Sequence, residues 1–272
     1  MSSWVEAYAP AKVNLALVVG PLRTDGKHEV ATVLERLSLA DMVAVRRAPA
    51  TRVGGFAGDT LVRGALDAVT RAVDGAVFFE ARIEKRVPVA GGLGGGSSDA
   101  AAALTLANSL LEQPLEADVL ERLAGSLGAD VPFFLRDGTQ LGIDDGTTLL
   151  SIGLPRDYAV LLALPHGAVK SSTADVYAAF DARRGDIGFD DRRAALLGAL
   201  ERLARAADLG HLPSNDLASS PLAPELRDLG AIRADATGAG PVAYGVFPDR
   251  DAAERAAAAL GHRASTWVAT PA

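Results

Sequence analysis

The residues able to do chemistry concentrate between 88 and 101, where the chain reads PVAGGLGGGSSDAA. Five glycines lie between Gly91 and Gly96, interrupted only by Leu93, and Ser97, Ser98 and Asp99 follow directly. The chain then enters Ala100-Ala101-Ala102-Ala103-Leu104, and Leu104, Ala107 and Leu111 share one helical face. Glycine permits positive φ and lets a ligand come up against the main chain. A helix N-terminus adds unpaired N–H groups at the positive end of a dipole. That combination holds phosphate, so Pro88, Val89, Ala90, Gly91, Gly92, Leu93, Gly94, Gly95, Gly96, Ser97 and Ser98 form a candidate phosphate cradle. A Gly/Ser linker would have a similar composition, but linkers rarely run straight into an amphipathic helix. No Gly-Lys-Ser/Thr closes the loop, so it is not a Walker A motif. It is not a Rossmann first turn either, because the preceding IEKRVPV is broken by charges and by Pro88 and lies far from the start of the chain.

Other candidates stand outside this loop. Along KVNLALVV, period two puts Lys12 and Asn14 on the same face of a strand. By itself Lys12 also fits an edge-strand solubility lysine. Asp130, two residues before Pro132, fits a helix N-cap as well as a functional carboxylate. His28 follows the turn Thr24-Asp25-Gly26, where a histidine on the surface is the ordinary case. Ser97 and Ser98 offer hydroxyls to a phosphate or to Mg²⁺. That ion takes few protein ligands beside water and phosphate oxygens, so Ser98 alone would serve. His166, His211 and His262 have no ligand-like spacing.

The elements that must position these groups are legible in outline. Strands are expected at Lys12 to Val19, Val30 to Leu39, Met42 to Val45, Val77 to Ile83, Ala159 to Leu164, Ala243 to Val246 and Ser265 to Val268. A helix follows Asp59 or Thr60 as its N-cap, with Leu61, Ala65, Leu66 and Val69 on one face. The helix after the glycine loop is expected to be capped by Ser97, Ser98 or Asp99. Further helices are expected at Asp118 to Leu127, with Gly128 at C′, and at Thr173 to Arg183, Arg192 to Ala207, Ala223 to Leu229 and Arg250 to Leu260. Asp137-Gly138 and Asp145-Gly146 read as hairpin turns. Gly153-Leu154-Pro155 punctuates the chain and marks a boundary between residues 1–152 and 153–272.

Composition bounds the partners. With 272 residues and 49% apolar content, the chain has material for one large core or two modest ones. The net charge is −7 and no Lys/Arg cluster appears, which argues against a nucleic-acid partner and makes any phosphate binding a matter of local geometry. There is no cysteine, so disulfides, thiolate metal sites and cysteine nucleophiles are excluded. The N-terminus lacks the basic and apolar regions of a secretory signal, and no apolar run approaches the roughly twenty residues that span a bilayer. A cytoplasmic protein with no membrane partner is expected.

Four motifs, in order, resemble one family: Pro10-Ala11-Lys12-Val13-Asn14-Leu15, the glycine-serine loop, Gly128-Ala129-Asp130-Val131-Pro132-Phe133-Phe134, and Thr237-Gly238-Ala239-Gly240-Pro241. The chain is similar to the GHMP small-molecule kinases. Asp25-Gly26-Lys27-His28-Glu29 and Ser214-Asn215-Asp216-Leu217 add to the match, which runs from Pro10 to Val246. The resemblance implies an α+β, two-domain GHMP kinase fold, ribosomal protein S5-like in its N-terminal domain and ferredoxin-like in its C-terminal domain. It implies ATP and Mg²⁺, and transfer of the γ-phosphate to the tertiary C2 hydroxyl of a cytidine diphosphate-linked methylerythritol in the non-mevalonate isoprenoid pathway. It makes Asp130 the acceptor of the hydroxyl proton and Lys12 its holder. It assigns His28 to the cytosine, with Asn14 and Thr173 as further substrate contacts. The protein is expected to work on a small molecule as a monomer or homodimer. Another member of the family, of homoserine or mevalonate type, or a nucleotide-binding relative without catalysis, would share the loop. The chain departs from the family pattern in four places. Lys27 stands where an aromatic residue usually stacks on the base, Asp144-Asp145-Gly146-Thr147 replaces a Gly-x-Gly-Glu segment, Ala239 takes the place of a hydroxyl residue, and Asp59 or Thr60 stands for the adenine-side asparagine before the first helix.

Overall fold

The structure, a computed structural model, describes residues 3–56, 59–75, 77–89, 91–169 and 171–272. Ala90, one of the candidate cradle residues, lies outside the described residues. The chain divides into two compact units that interleave in sequence. The first comprises residues 1–11, 40–89 and 94–137, and the second residues 12–39, 90–93 and 138–272. Two long strands contribute to both units, β1 (Val5–Leu22) and β2 (His28–Ala48). Lys12 therefore stands in the middle of β1 and not near its start. β2 is continuous where two segments were expected. The pattern breaks at Asp41, whose charge is fully buried but answered by two main-chain donors, Arg86 N at 2.5 Å and Val87 N at 2.8 Å.

In the first unit, β2 from Met42 onward pairs antiparallel with β4 (Phe78–Glu84), which pairs in parallel with β3 (Arg52–Gly54), a short strand without sequence signal. Three helices pack on one another: α1 (Leu61–Ala72), α2 (Gly95–Ser109) and α3 (Ala117–Leu127). Asp59 supplies the cap of α1, its Oδ1 accepting from Val62 N at 2.7 Å. α2 starts before the serines and is capped by Gly94 at φ 70, so Ser97, Ser98 and Asp99 lie inside the helix, not at its cap. Gly94 can hold that left-handed conformation cheaply, which is how the loop turns into the helix without a polar cap. Gly128, expected at C′ in the left-handed region, is extended at φ 168.

In the second unit, β2 pairs antiparallel with β5 (Thr139–Ile143), which pairs with β6 (Thr148–Ile152). The turn Asp144 to Thr147 closes that hairpin, whereas Asp137-Gly138 precedes β5 and opens none. A separate four-stranded antiparallel sheet has the order β10 (Ala264–Ala269), β7 (Ala159–Pro165), β9 (Ala243–Phe247), β8 (Arg233–Ala236). Two helices, α6 (Leu222–Asp228) and α7 (Arg250–Leu260), cover it and bury Leu226, Phe247, Ala256 and Leu260. The sequence hid β8 because its charged residues are inside. Arg233 donates to Tyr244 OH at 2.8 Å and lies 3.5 Å from Asp235. The helices between the strands are α4 (Thr173–Ala182) and α5 (Phe189–Arg202). α5 stops before the expected Ala207, where Asp208 accepts from the N–H groups of Ala204 and Arg205 and starts a 3-10 turn over Ala206–His211.

Glu35 of β2 is an internal acid with a measurable consequence. It is 1% exposed, and its Oε2 accepts from Thr139 Oγ1 at 2.5 Å. Burial pushes its carboxyl above the usual range, while the Thr139 hydroxyl and the Arg156 charge pull against the shift. A folded value above the unfolded one means that the native state binds the proton more tightly. The stability Glu35 contributes is complete below about pH 4.5 and is lost as pH rises through the folded value. Glu35→Gln is therefore expected to raise Tm over wild type at pH 8 and to leave it unchanged at pH 4, in paired thermal melts. An equal difference at both pH values would remove Glu35 as the cause.

Candidate functional site

The second unit brings Lys12 and Asn14 together as their shared strand face requires. Lys12 Nζ donates to Asn14 Oδ1 at 2.7 Å, and both side chains are buried. Lys12 is thus an interior lysine and not a solubilising edge residue. Asn14 Nδ2 donates to Thr32 Oγ1 at 2.8 Å, Thr32 Oγ1 donates to Ala16 O at 2.8 Å, and Asn14 N donates to Thr237 Oγ1 at 3.0 Å. The amide of Asn14 is oriented on every side, and it in turn holds the ammonium of Lys12.

The Thr237-Gly238-Ala239-Gly240 turn closes over this pair. A Cβ on Gly238 would lie 3.3 Å from Asn14 Oδ1 and 3.6 Å from Lys12 Nζ. Gly91 and Gly92 lie against the same turn, since a Cβ on Gly92 would meet Thr237 O at 2.6 Å and Gly240 Cα at 2.9 Å. Gly92 also sits at φ +83. Gly92 in the loop and Gly240 in the turn are therefore needed for backbone-on-backbone packing, a Cβ on Gly240 meeting Gly91 O and Gly92 Cα, a use that the phosphate reading of the sequence did not separate. Lys12 N donates to Leu93 O at 2.9 Å and fastens the loop to β1. Ala239 is half-buried and packs against the apolar cluster of Leu17, Val19, Val30, Phe180 and Leu217.

The Ser214-Asn215-Asp216-Leu217 motif is a scaffold for that turn. Asn215 Nδ2 donates to Gly238 O at 2.8 Å and to Ala236 O at 3.1 Å. Asp216 Oδ2 accepts from Val19 N at 2.8 Å and from Arg192 Nε at 3.0 Å. The motif was visible in the sequence, but its partners are far away in the chain and no local pattern announces them.

His28 is interior, in place of the surface residue its turn implied. It is 8% exposed, Nδ1–H donates to Gly20 O at 2.9 Å, and Nε2 lies 3.4 Å from Asp181 Oδ1. Tyr177 stacks on its ring at 4.9 Å and Phe180 meets it edge-on at 5.7 Å. Both belong to α4, whose first residue is Thr173. Thr173 is exposed and lies one turn before Tyr177 on the same helical face. Nothing local in the expected helix Thr173 to Arg183 singled out Tyr177 and Phe180 as neighbours of His28. Two of the departures from the family pattern meet each other: Lys27 Nζ donates to Asp145 Oδ2 at 2.5 Å. Burial works to raise Asp145, but the hydrogen bonds from Lys27 and Thr147 prevail and hold its carboxyl down at about 2.

In the first unit, the open end of α2 presents Gly95, Gly96, Ser97 and Ser98, with Pro88 and Val89 leading toward it. Ser98 is 1% exposed, and its Oγ has no hydrogen-bond partner among the described residues. Beneath the helix end, Lys85 Nζ donates to Asp99 Oδ2 at 2.7 Å and to Asp41 Oδ2 at 2.5 Å. Burial, with the charges of Asp41 and Asp59, pushes the Asp99 carboxyl up to about 7 against the pull of Lys85. Asp130 lies in the turn between Gly128 and Val131, closed by Val131 N donating to Gly128 O at 3.1 Å. It does not occupy a helix cap: Val131 holds that place before the 3-10 turn Pro132–Leu135. The buried Val131, Pro132, Phe133 and Phe134 anchor this turn, which packs on α2. The Val-Pro-Phe-Phe sequence thus fixes the carboxylate's backbone to the helix that carries the loop. Among the described residues no group of three or more His, Asp or Glu could hold a metal ion, and no helix is long and apolar enough to cross a membrane.

Comparison with known proteins adds the rest. Residues 60–138 match the family model for the GHMP kinases N terminal domain, and residues 192–265 match that for the GHMP kinases C terminal. The chain is 38% identical to the 4-diphosphocytidyl-2-C-methyl-D-erythritol kinase of Nocardia farcinica, over 93% of this chain and 88% of that protein. It is 35% identical to the protein of the same name from Desulfitobacterium hafniense, over 97% of this chain and 94% of that one. A crystal structure of 4-(cytidine 5'-diphospho)-2C-methyl-D-erythritol kinase superposes with a TM-score of 0.80 at 31% identity, covering 98% of both chains. Homoserine kinase from Cytophaga hutchinsonii superposes with a TM-score of 0.73 at 18% identity, a likeness of fold alone.

Proposed function

The chain belongs to the GHMP kinases, in the family of the 4-diphosphocytidyl-2-C-methyl-D-erythritol kinases, and from that membership we propose how its residues carry out the reaction. It transfers the γ-phosphate of ATP to the C2 hydroxyl of 4-diphosphocytidyl-2-C-methyl-D-erythritol, giving the 2-phosphate and ADP for the non-mevalonate route to isoprenoid precursors. The observation that carries the residue assignment is the N-terminus of α2, which starts at Gly94 without a side-chain cap, with a Ser98 hydroxyl inside it that has no partner among the described residues.

Phosphoryl transfer demands positioning and charge neutralisation more than covalent chemistry. The segment from Pro88 to Ser98 receives the polyphosphate through main-chain N–H groups and the positive end of the α2 dipole. Ser98 fits Mg²⁺, because a buried hydroxyl oxygen without a partner is an open ligand. Bound there, the ion would neutralise charge on the phosphate oxygens. Asp130 orients the attacking hydroxyl and takes its proton. Lys12, set by Asn14, holds the reacting oxygen. His28, Asn14 and Thr173 bind the cytidylyl substrate. We divide the work between residues 1–152 and 153–272, one matched family segment lying in each, and place the enzyme in the cytoplasm, where ATP is supplied.

A substrate panel tests the reading. With ATP and Mg²⁺, ADP release is expected with the cytidylyl alcohol and not with homoserine or mevalonate. Turnover of either of the latter in preference to the cytidylyl alcohol would move the chain to another branch of the family. ATP binding with no ADP release from any alcohol would make it a binding protein.

A further inference from the structure

α2 begins without the device that usually ends a helix. Its cap is Gly94, no side chain among the described residues accepts a first-turn N–H, and the first turn holds no acidic residue. A capping side chain ordinarily stabilises a helix start, yet Ser97, Ser98 and Asp99, all good capping residues, sit too far into the helix to act. The end is held from its buried side instead. Lys85 Nζ donates to Asp99 Oδ2 at 2.7 Å and to Asp41 Oδ2 at 2.5 Å, and both carboxylates are 0% exposed. The other oxygen of Asp41 accepts from Arg86 N and Val87 N, which fixes the chain leading to Pro88. Gly95, the first residue of the helix, leaves room for this arrangement. A Cβ there would lie 3.2 Å from Val87 Cγ1 and 3.3 Å from Lys85 Nζ. A buried charge with its partner removed is heavily penalised, so the three groups constrain one another's positions.

We propose that Lys85, with Asp41 and Asp99, is the positioning device for the nucleotide-binding end of α2. It fixes the first turn from inside, so that the N–H groups and the Ser98 hydroxyl stay uncapped for a polyphosphate. Lys85 is a positioning residue and does not itself touch the nucleotide. The inference rests on the reading of this helix end as the phosphate site, and its test separates the two.

Two variants are compared with wild type. Lys85→Gln keeps a hydrogen-bonding group but removes the ammonium. The triple variant Lys85→Met, Asp41→Asn, Asp99→Asn removes all three charges, so no carboxylate is left buried and unpaired. Two quantities are read at a temperature well below both melts: calorimetric affinity for a non-hydrolysable ATP analogue with Mg²⁺, and amide hydrogen exchange at Ser98 to Ala101 in the ligand-free protein. Analogue binding is expected to weaken at least tenfold in each folded variant, and exchange at those amides to accelerate at least tenfold. Exchange in β7 and KM for the alcohol are expected to stay within threefold of wild type. If either the affinity or the α2 exchange is unchanged in a folded variant, the network is structural filler and the proposal falls. If wild type itself binds no analogue, the phosphate-site reading fails, and the exchange result alone decides whether the clamp exists.

Discussion

Asp130→Asn is expected to lower kcat at least a hundredfold, about 2.7 kcal/mol of transition-state stabilisation, while leaving the affinity for an ATP analogue within twofold. The substitution keeps size and shape and removes the basic oxygen. The turn that carries residue 130 is set by Gly128 and by the buried Val131 to Phe134, so its backbone has no reason to move. A carboxylate is a weak base toward a ground-state alcohol. It becomes effective late, when a loose transition state has drawn electron density from the attacking oxygen. The change should therefore appear in kcat and not in nucleotide binding. Steady-state kinetics beside calorimetry check both halves. Near-normal turnover in a folded Asp130→Asn protein would take Asp130 out of the mechanism.

The second large effect is expected at a residue with no functional group. Gly92→Ala places a methyl 2.6 Å from Thr237 O and 2.9 Å from Gly240 Cα, at a backbone φ of +83. Left-handed strain costs on the order of 1 kcal/mol for a residue with a Cβ, and the collision with main chain adds one to three more. A loss of about 2–4 kcal/mol corresponds to a fall in Tm of roughly 4–16 °C for a chain of this size. Function should suffer more than stability. The displaced turn carries Thr237, which orients Asn14, and Gly238, which packs against Lys12 and Asn14. kcat/KM is expected to drop at least a hundredfold. Gly230→Ala is the control, because Gly230 has φ +97 with nothing within 4 Å of an added Cβ. It should show the strain alone and leave kcat/KM unchanged. Equal activity losses in the two variants would contradict the close-packing argument.

What the sequence revealed followed from locality. The glycine-serine loop, the amphipathic helices and the apolar run of β7 each declare themselves within about ten residues, and their elements exist as expected, with shifted ends at α2 and α5. Period two was enough to put Lys12 and Asn14 on one face. What stayed hidden depends on partners distant in the chain. Asp41 interrupted the pattern of β2 because its buried charge is answered by main chain more than forty positions later. Arg233 and Asp235 disguised β8 because they face each other and Tyr244 indoors. The caps of α2 were misplaced for a related reason: good capping residues were present, but the helix begins earlier, at a glycine, and is held by Lys85 from beneath. His28 looked like a surface turn residue until α4 supplied Tyr177, Phe180 and Asp181 around it. The departures at Lys27 and Asp145, unrelated on paper, form one ion pair.

The direct test of the account is the identity of the product. Purified protein is incubated with ATP, Mg²⁺ and the cytidylyl alcohol, and the reaction is followed by ³¹P NMR with proton and carbon correlation. A new phosphomonoester resonance coupled to the quaternary C2 carbon, growing in step with ADP, is the expected result. A phosphate attached at any other oxygen, or ADP formed with no new ester, would contradict it.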